Sequence, residues 1–236
     1  MYTLESSFWW YKVLHELVDF TINKNKKEGE IRILDAGCGT GRMMEICQKY
    51  GTITGIDYSS DAVHFAKERG LINIEIGDLN DYQFENDTYD VLVCLDVLYH
   101  SAIRDDLAVV EKFFHTLKKD GILIINLPAF EYLKRPHDIV VHTKKRYRKK
   151  SFVNELKEIG FSIISSSYRM PHLYFIILIS KLFRGKSNPK KTGSDLKELP
   201  NWLNSLLIFF GRAENSLLKR GFSIPCGSSL FIVAKK

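Results

Sequence analysis

Apolar residues at Trp10, Val13, Leu14, Leu17 and Val18 recur every three to four positions within Ser7–Asn23, so this stretch is expected to be an amphipathic leading helix, with Ser6 or Ser7 as its cap. After the polar linker Asn23–Glu30 the pattern changes. Short β-rich runs alternate with amphipathic stretches: Ile31–Asp35 then Arg42–Tyr50, Ile53–Asp57 then Ser60–Arg69, Ile72–Ile76, Tyr89–Leu95 then Ile103–Leu117, and Gly121–Leu127. Regular alternation of this kind implies right-handed crossovers, a parallel sheet covered by helices on both faces, and a ligand site outside the carboxyl ends of the strands. That site is expected just after Asp35, Asp57, Ile76 and Leu95.

Beyond Leu127 the alternation loosens into LPAFEYLKRPHDIVVHTKKRYRKK, followed by an expected helix Ser151–Ile159 ended by Gly160 and a strand Phe161–Tyr168. The last strand is expected at Ser229–Ala234. Between these strands lie two apolar stretches, Leu173–Phe183 and Trp202–Leu218, separated by a Lys/Gly/Ser/Asn/Pro loop at 184–195. The first is apolar nearly all round. In the second, Leu203, Leu206, Leu207, Phe210, Ala213, Leu217 and Leu218 form a helical stripe.

The chain has 236 residues, 45% of them hydrophobic and 26% charged, which is enough to bury one large core and excludes a disordered or fibrous chain. No run reaches the roughly 18 apolar residues of a membrane span. The opening MYTLESSFWWYK has no basic leader, and Cys38, Cys47, Cys94 and Cys226 form no C-x-x-C pair. Together these features argue against a zinc site or a secreted disulfide scaffold and lead us to expect a cytoplasmic protein. Charge divides the molecule. Residues 1–133 hold 13 Lys and Arg against 22 Asp and Glu, whereas residues 134–236 hold 21 against 6. The basic half is either a solvated surface or the part that meets an anion: a phospholipid, a phosphorylated substrate or nucleic acid.

The segment ILDAGCGTG (Ile33–Gly41) places Gly37, Gly39 and Gly41 between a strand and a helix. Glycine tolerates φ > 0 and lacks a Cβ, so such a loop turns sharply and lets a ligand approach its backbone. Asp57, at the end of the next strand, can accept hydrogen bonds from ribose hydroxyls. A dinucleotide fingerprint G-x-G-x-x-G requires Gly or Ala where this chain has Arg42. Asp35 adds a carboxylate suited to an amino-acid ammonium, and a nucleoside carrying an amino acid is S-adenosylmethionine.

These motifs resemble, in order, those of class I S-adenosylmethionine-dependent methyltransferases: ILDAGCGTG the first motif, GIDYS (Gly55–Ser59) the ribose acid, GDL (Gly77–Leu79) the adenine-side acid, and YDVLVCLDVLYH (Tyr89–His100) the fourth strand and transfer cleft. The opening ESSFWWYKVLHELV, the segment LPAFEYL to KKRY and the ending PCGSSLFIVAKK resemble a type 11 or type 23-like subfamily. Two departures are Tyr99 where D-V-L-E-H has Glu, and Ser7 where the aromatic opening has His.

The resemblance implies an α/β fold: a Rossmann-like, seven-stranded, mostly parallel sheet with helices on both faces, an N-terminal helix and a helical insertion before the last strand. The expected organisation is a single domain over 1–236, with a lid helix and linker (1–30), a cofactor-binding core (31–168), the insertion (169–227) and the last strand (228–236). Gly37, Gly39 and Gly41, with Cys38 and Arg42 in the same motif, would wrap the methionine part. Asp57 would hold the ribose, Tyr58 would lie near the adenine, and Asp78 and Leu79 would meet its amino group. Leu95 and Val97 would line the cleft, and Trp9 would fold over the cofactor.

Methyl transfer from a sulfonium is an in-line displacement governed by positioning, and an acceptor hydroxyl or amine must still lose a proton. His100 is the first candidate base, and His137 and His142 are further catalytic candidates. Asp138, Arg146 and Tyr147, with Tyr99, are expected to bind the acceptor, because Arg pairs well with carboxylate and phosphate oxygens. His137, Asp138 and His142 lack a further ligand, so no metal is expected. The acceptor is expected to be a small molecule, sugar or glycolipid-like compound methylated on oxygen or, as the second choice, on nitrogen.

The insertion is expected to serve as a lid, as an oligomer contact in a monomer or homodimer, or as a peripheral anchor on an anionic membrane. Nucleic acid is not expected, since no N-P-P-Y-like segment follows the fourth strand. The alternatives are an RNA or protein methyltransferase using the basic half, a non-catalytic S-adenosylmethionine-binding protein, and a nucleotide-linked oxidoreductase.

Overall fold

In a computed structural model, residues 2, 5–183 and 199–236 are described; the loop expected at 184–195 lies wholly outside them. The leading helix α1 (Trp9–Asn25) is followed by β1 (Ile31–Ala36), α2 (Arg42–Cys47), β2 (Gly51–Asp57), α3 (Ser60–Glu68), β3 (Ile74–Ile76), β4 (Tyr89–Leu95), α4 (Asp106–Thr116) and β5 (Leu117–Pro128). Then come α5 (Pro136–Val140), α6 (Lys149–Ile159), β6 (Ser162–Arg169), α7 (Pro171–Phe183), α8 (Asn201–Lys219) and β7 (Ser229–Lys235).

The seven strands form one sheet in the order β3-β2-β1-β4-β5-β7-β6, parallel from β3 to β5, with β7 antiparallel between β5 and β6. The chain runs outward from β1 in one direction and restarts beside it at β4. The crevice therefore opens where β1 and β4 adjoin, which is where ligands bind in doubly wound sheets.

Both faces of the central strands are covered, and this explains why they read as continuous apolar runs. On one face α1 (Leu14, Leu17, Val18, Ile22) packs on Ile31, Ile33, Val91, Val93, Ile124 and Phe231. On the other, α4 (Val109, Val110, Phe113) and α6 (Phe152, Leu156) pack on Leu92, Cys94, Leu123, Ile125 and Ile232.

Side chains finish several helices. Ser59 Oγ accepts the Ala62 N–H at the start of α3, and Asp105 Oδ1 accepts those of Leu107 and Ala108 at the start of α4. The cap expected from Ser6 or Ser7 is not formed, because α1 begins at Trp9 with Phe8 before it. A one-turn helix, α5, appears in the segment expected to be irregular; the Asp138 carboxylate accepts the Arg135 N–H at 2.8 Å and starts it.

The insertion is fastened to α1. Trp9 donates its N–H to Asn204 Oδ1 (2.9 Å), Asn204 Nδ2 donates to the Ser7 carbonyl (3.0 Å), and Asn215 Nδ2 donates to the Val13 carbonyl (2.8 Å). Gly211 lets the helices approach, since a Cβ there would lie 2.7 Å from Val13 Cγ1.

Candidate cofactor and acceptor site

Alternate residues of a strand share a face, so the side of the sheet covered by α1 can be followed to its carboxyl edge. The apolar series on that side ends in polar groups: Asp57 on β2, Asp35 on β1, Asn126 on β5 and Arg169 on β6, with Asp96 just past β4. Asp35, Asn126, Asp57 and Arg169 are all buried.

The glycine loop sits on this row. Gly37 and Cys38 donate their N–H groups to the Ile56 carbonyl at 2.7 and 3.1 Å. Gly39 donates to Asp57 Oδ2 (2.8 Å), and Ser59 donates to Asp57 Oδ1 (2.9 Å). The ribose acid of the expected scheme therefore also ties the loop to β2, and each of its oxygens keeps a lone pair for a hydroxyl donor. Gly37 has φ +83°, and any Cβ there would strike Val97, so both the turn and the close approach require glycine.

Three carboxylates converge here. Asp35 is 2% exposed and its Oδ2 has no hydrogen-bond partner among the described residues. Burial, reinforced by the Asp57 and Glu5 charges, pushes its pKa up to about 8. Glu5 is buried over the loop, accepts a hydrogen bond from Thr40 Oγ1, and is raised by burial against the opposing effects of Thr40 and Arg69. Arg69 completes this clasp, donating Nε to the Thr40 carbonyl (2.8 Å) and Nη2 to the Tyr2 carbonyl (3.1 Å), with its guanidinium 4.3 Å from the centre of the Tyr2 ring. Orphaned and crowded carboxylates beside a glycine cradle favour a ligand with positive charge. S-adenosylmethionine fits this donor set: its ammonium suits Asp35, and its ribose diol suits Asp57. Sequence reasoning missed Glu5, although the acid heads the aromatic opening, because its partner Arg69 is 64 residues away.

Sequence reasoning also missed Asp96. It has φ +56°, a conformation uncommon for a side-chain-bearing residue, and its carboxylate accepts hydrogen bonds from Asn126 Nδ2 (2.9 Å) and the Trp10 side chain. Burial raises its pKa to about 6. Trp10 thus reaches the end of β4. Trp9 is buried against Phe8, Trp10 and His172. Burial, and after it the nearby Asp96 and Tyr11, raises the pKa of half-buried Tyr99.

The remaining expected residues divide into two groups. Leu95 and Val97 are half-buried at the cleft, Cys38 and Leu79 are buried, and Tyr58 is 62% exposed. Asp78 is exposed and accepts the backbone and side-chain N–H groups of Asn80. Gly41 (φ +82°) opens α2, and Arg42 is turned away to Glu45 at 2.6 Å. His100 lies between Tyr58 and His142, with ring centroids 6.0 and 5.5 Å away, and its Nδ1 accepts the Ala102 N–H at 3.1 Å. Burial and the neighbouring His142 lower its pKa. His142 is exposed, and His137 is half-buried on α5.

Each member of the trio expected at the acceptor is bonded to other residues of the protein. Asp138 pairs with Arg146 Nε at 2.7 Å, which holds its carboxyl below the usual range despite burial. Arg146 Nη1 donates to the Ala129 carbonyl. Tyr147 is buried, with its hydroxyl 3.1 Å from the Leu98 carbonyl and 2.8 Å from Asp106 Oδ2. Tyr147→Phe is therefore expected to lower stability by about 1–2 kcal/mol, seen as a melting temperature lower by roughly 3–6 °C, with cofactor affinity unchanged. A variant that melts like the parent but loses acceptor affinity would restore the binding role.

A β3-β2-β1-β4-β5-β7-β6 sheet with a glycine loop after β1 and an acid ending β2 defines the class I S-adenosylmethionine-dependent methyltransferase architecture. Residues 27–173 match the family model described as "Methyltransferase domain", and the chain belongs to that family. Among curated relatives, a ubiquinone biosynthesis O-methyltransferase from Haemophilus ducreyi is 29% identical over 138 residues, covering 50% of this chain and 58% of the relative. A phosphoethanolamine N-methyltransferase from Plasmodium falciparum is 32% identical over 115 residues, covering 46% and 41%. The chain thus spans little more than half the length of the O-methyltransferases it matches.

Among solved structures, the plantazolicin methyltransferase BpumL in complex with SAH aligns with TM-score 0.63 at 17% identity, covering 100% of this chain and 87% of that one. A SAM-dependent methyltransferase from Archaeoglobus fulgidus aligns with TM-score 0.60 at 18% identity, covering 94% of each chain. These two share the fold.

Proposed function

We propose that this protein transfers a methyl group from S-adenosylmethionine to an oxygen of a small-molecule or lipid-linked acceptor. The observation that carries the reading is the convergence of Glu5, Asp35 and Asp57 on the glycine loop, with Asp35 Oδ2 lacking a partner among the described residues. The bound cofactor supplies an electrophilic methyl carbon on a sulfonium. Asp35 would hold its ammonium and Asp57 its ribose hydroxyls.

Asp96 is the proton acceptor in this reading. Its pKa of about 6 leaves it ionised at neutral pH yet basic enough to take a proton from an acceptor hydroxyl, and Asn126 and Trp10 aim it. Trp10, Tyr11 and Tyr99 would exclude water. His100, whose Nδ1 already accepts the Ala102 N–H, carries its neutral proton on Nε2 and so offers a donor for positioning. Oxygen is favoured by the O-methyltransferase relatives, and nitrogen is kept as the second reading by the N-methyltransferase relative.

The test is incubation with methyl-labelled S-adenosylmethionine and an extract of the source, followed by separation of lipid, small-molecule, protein and RNA fractions. Label in either of the first two supports the proposal. Label in protein or RNA overturns the acceptor class, and cofactor binding with no labelled product indicates a binding protein. With the acceptor in hand, Asp96→Asn is expected to lower kcat about 100-fold with cofactor affinity kept. An unchanged kcat removes the base assignment.

A further inference from the structure

Helices α7 and α8 are turned outward in a way that the transfer site does not explain. Along α7, Phe175, Ile176, Ile179, Leu182 and Phe183 are exposed, and among its residues only Ile177 is buried. These five positions follow the helical period and form one stripe. On α8 the fully buried residues are Gly211, Glu214 and Asn215, with Leu207, Ile208 and Leu218 partly buried against the core, whereas Trp202, Leu206, Phe209 and Phe210 are exposed, Trp202 at 69%. The inner face is fully engaged, with Gly211 against Val13, Glu214 on Arg169 and the Met170 N–H, and Asn215 on the Val13 carbonyl. The outer stripe is therefore not the underside of a lid. The two helices adjoin where the rings of His172 and Phe210 lie 6.5 Å apart.

Two apolar stripes exposed together exceed what water-facing helices normally carry, so an occupant is required. Charge selects it. Neither helix exposes a carboxylate, since Glu214 is their sole acidic residue and it is buried. Lys181 flanks the α7 stripe, and residues 134–236 hold 21 Lys and Arg against 6 acidic residues. No helix among the described residues is long and apolar enough to cross a membrane. Aromatic and aliphatic stripes on two helices that expose no carboxylate, with Lys181 beside the first, suit the boundary between headgroups and acyl chains.

We infer that the outer faces of α7 and α8 dock on an anionic lipid surface. This stands on the two helices alone and not on the proposed reaction. A lipid-linked acceptor would then be met at the surface on which its carrier lies.

The experiment is flotation of the whole protein with vesicles of phosphatidylcholine containing about one-third phosphatidylglycerol, and with vesicles of phosphatidylcholine alone. The protein is expected to float with the anionic vesicles, less as salt rises, and to bind the neutral ones at least tenfold more weakly. The double substitutions Phe175→Ser with Ile179→Ser, and Trp202→Ser with Phe209→Ser, replace exposed residues and are expected each to weaken flotation about tenfold or more. Melting temperature and S-adenosylhomocysteine affinity should remain unchanged, which separates lost docking from lost folding. Failure of the parent protein to float overturns the inference, as does flotation that ignores both double variants. A dimer in light scattering that these variants dissociate would assign the stripes to a second copy of the chain instead.

Discussion

Asp35→Asn is expected to weaken S-adenosylmethionine and S-adenosylhomocysteine binding by about 100-fold, because it would remove the buried charge proposed to hold the ligand ammonium while keeping the shape of the side chain. The pH dependence gives this prediction its signature. Asp35 has a pKa of about 8 in the free fold, against an ordinary 3.8, so below pH 8 most molecules hold a proton that the ligand must displace. Affinity in the parent protein should rise as pH climbs from about 6 to 8, by up to roughly tenfold per unit, and stop rising above that, where the ligand's own ammonium begins to lose its proton. The Asn variant should lose this slope.

Stability should move the other way. The folded state keeps a proton that the unfolded chain releases near pH 4, so ionising Asp35 in the fold costs free energy, and the ligand-free parent loses stability as pH rises from about 4 towards 8. Asp35→Asn escapes that cost and is expected to melt at or above the parent temperature at pH 8. Calorimetric titration and thermal melts across this range check both halves. Unchanged affinity in the variant would remove the ammonium role.

The second large effect belongs to Arg169. It is fully buried at the end of β6, 3.4 Å from Glu214 Oε1, with the Asp96 charge nearby and with no hydrogen-bond partner for Nη1 and Nη2 among the described residues. Burial lowers its pKa, and the two carboxylates oppose that shift. Arg169→Met leaves Glu214 buried without its counter-charge and should cost about 3–5 kcal/mol, a fall of about 10 °C in melting temperature.

Glu214 is already raised by burial and would take up a proton once Arg169 is gone, so the loss should be smaller near pH 5 than at pH 8. Adding Glu214→Gln removes the stranded charge and keeps an acceptor for the Met170 N–H, now 2.8 Å from Glu214 Oε2. The double variant should regain most of the loss. A single variant as stable as the parent would mean that the pair contributes nothing to holding α8 against the end of β6.

Much of the cofactor half of the site was legible in the chain, because it is local. Asp35, Gly37, Gly39 and Gly41 lie within seven residues, and Asp57 ends the next strand. Even here the structure added a function: Asp57 accepts the Gly39 and Ser59 N–H groups and so locks the loop it serves.

The acceptor side was less legible. Arg146, Asp138 and Tyr147 have the chemistry of an anion site, but Asp138 and Arg146 pair with each other, and Tyr147 ties the loop to Leu98 and Asp106. Buried Glu5 and buried Arg169 owe their roles to partners 64 residues away or on another element, and although Asp96 heads the D-V-L-Y-H motif, its partners Asn126 and Trp10 are distant in the chain.

By itself, the sequence determined the alternation of strands and helices, the glycine turn, the two strand-end acids and the two apolar stretches of the insertion, all of which depend on φ preference and hydrophobic period over a few residues. Only the tertiary structure decided that Trp10 rather than Trp9 meets the end of β4, that Glu5 closes over the loop, and that α8 turns Glu214 inward and Trp202 outward. The physical reason is that a period reveals a stripe without saying which side it faces. That side was chosen by Gly211 against Val13, by Asn204 and Asn215 on α1 carbonyls and by Arg169, contacts that exist only once the sheet has brought distant segments together.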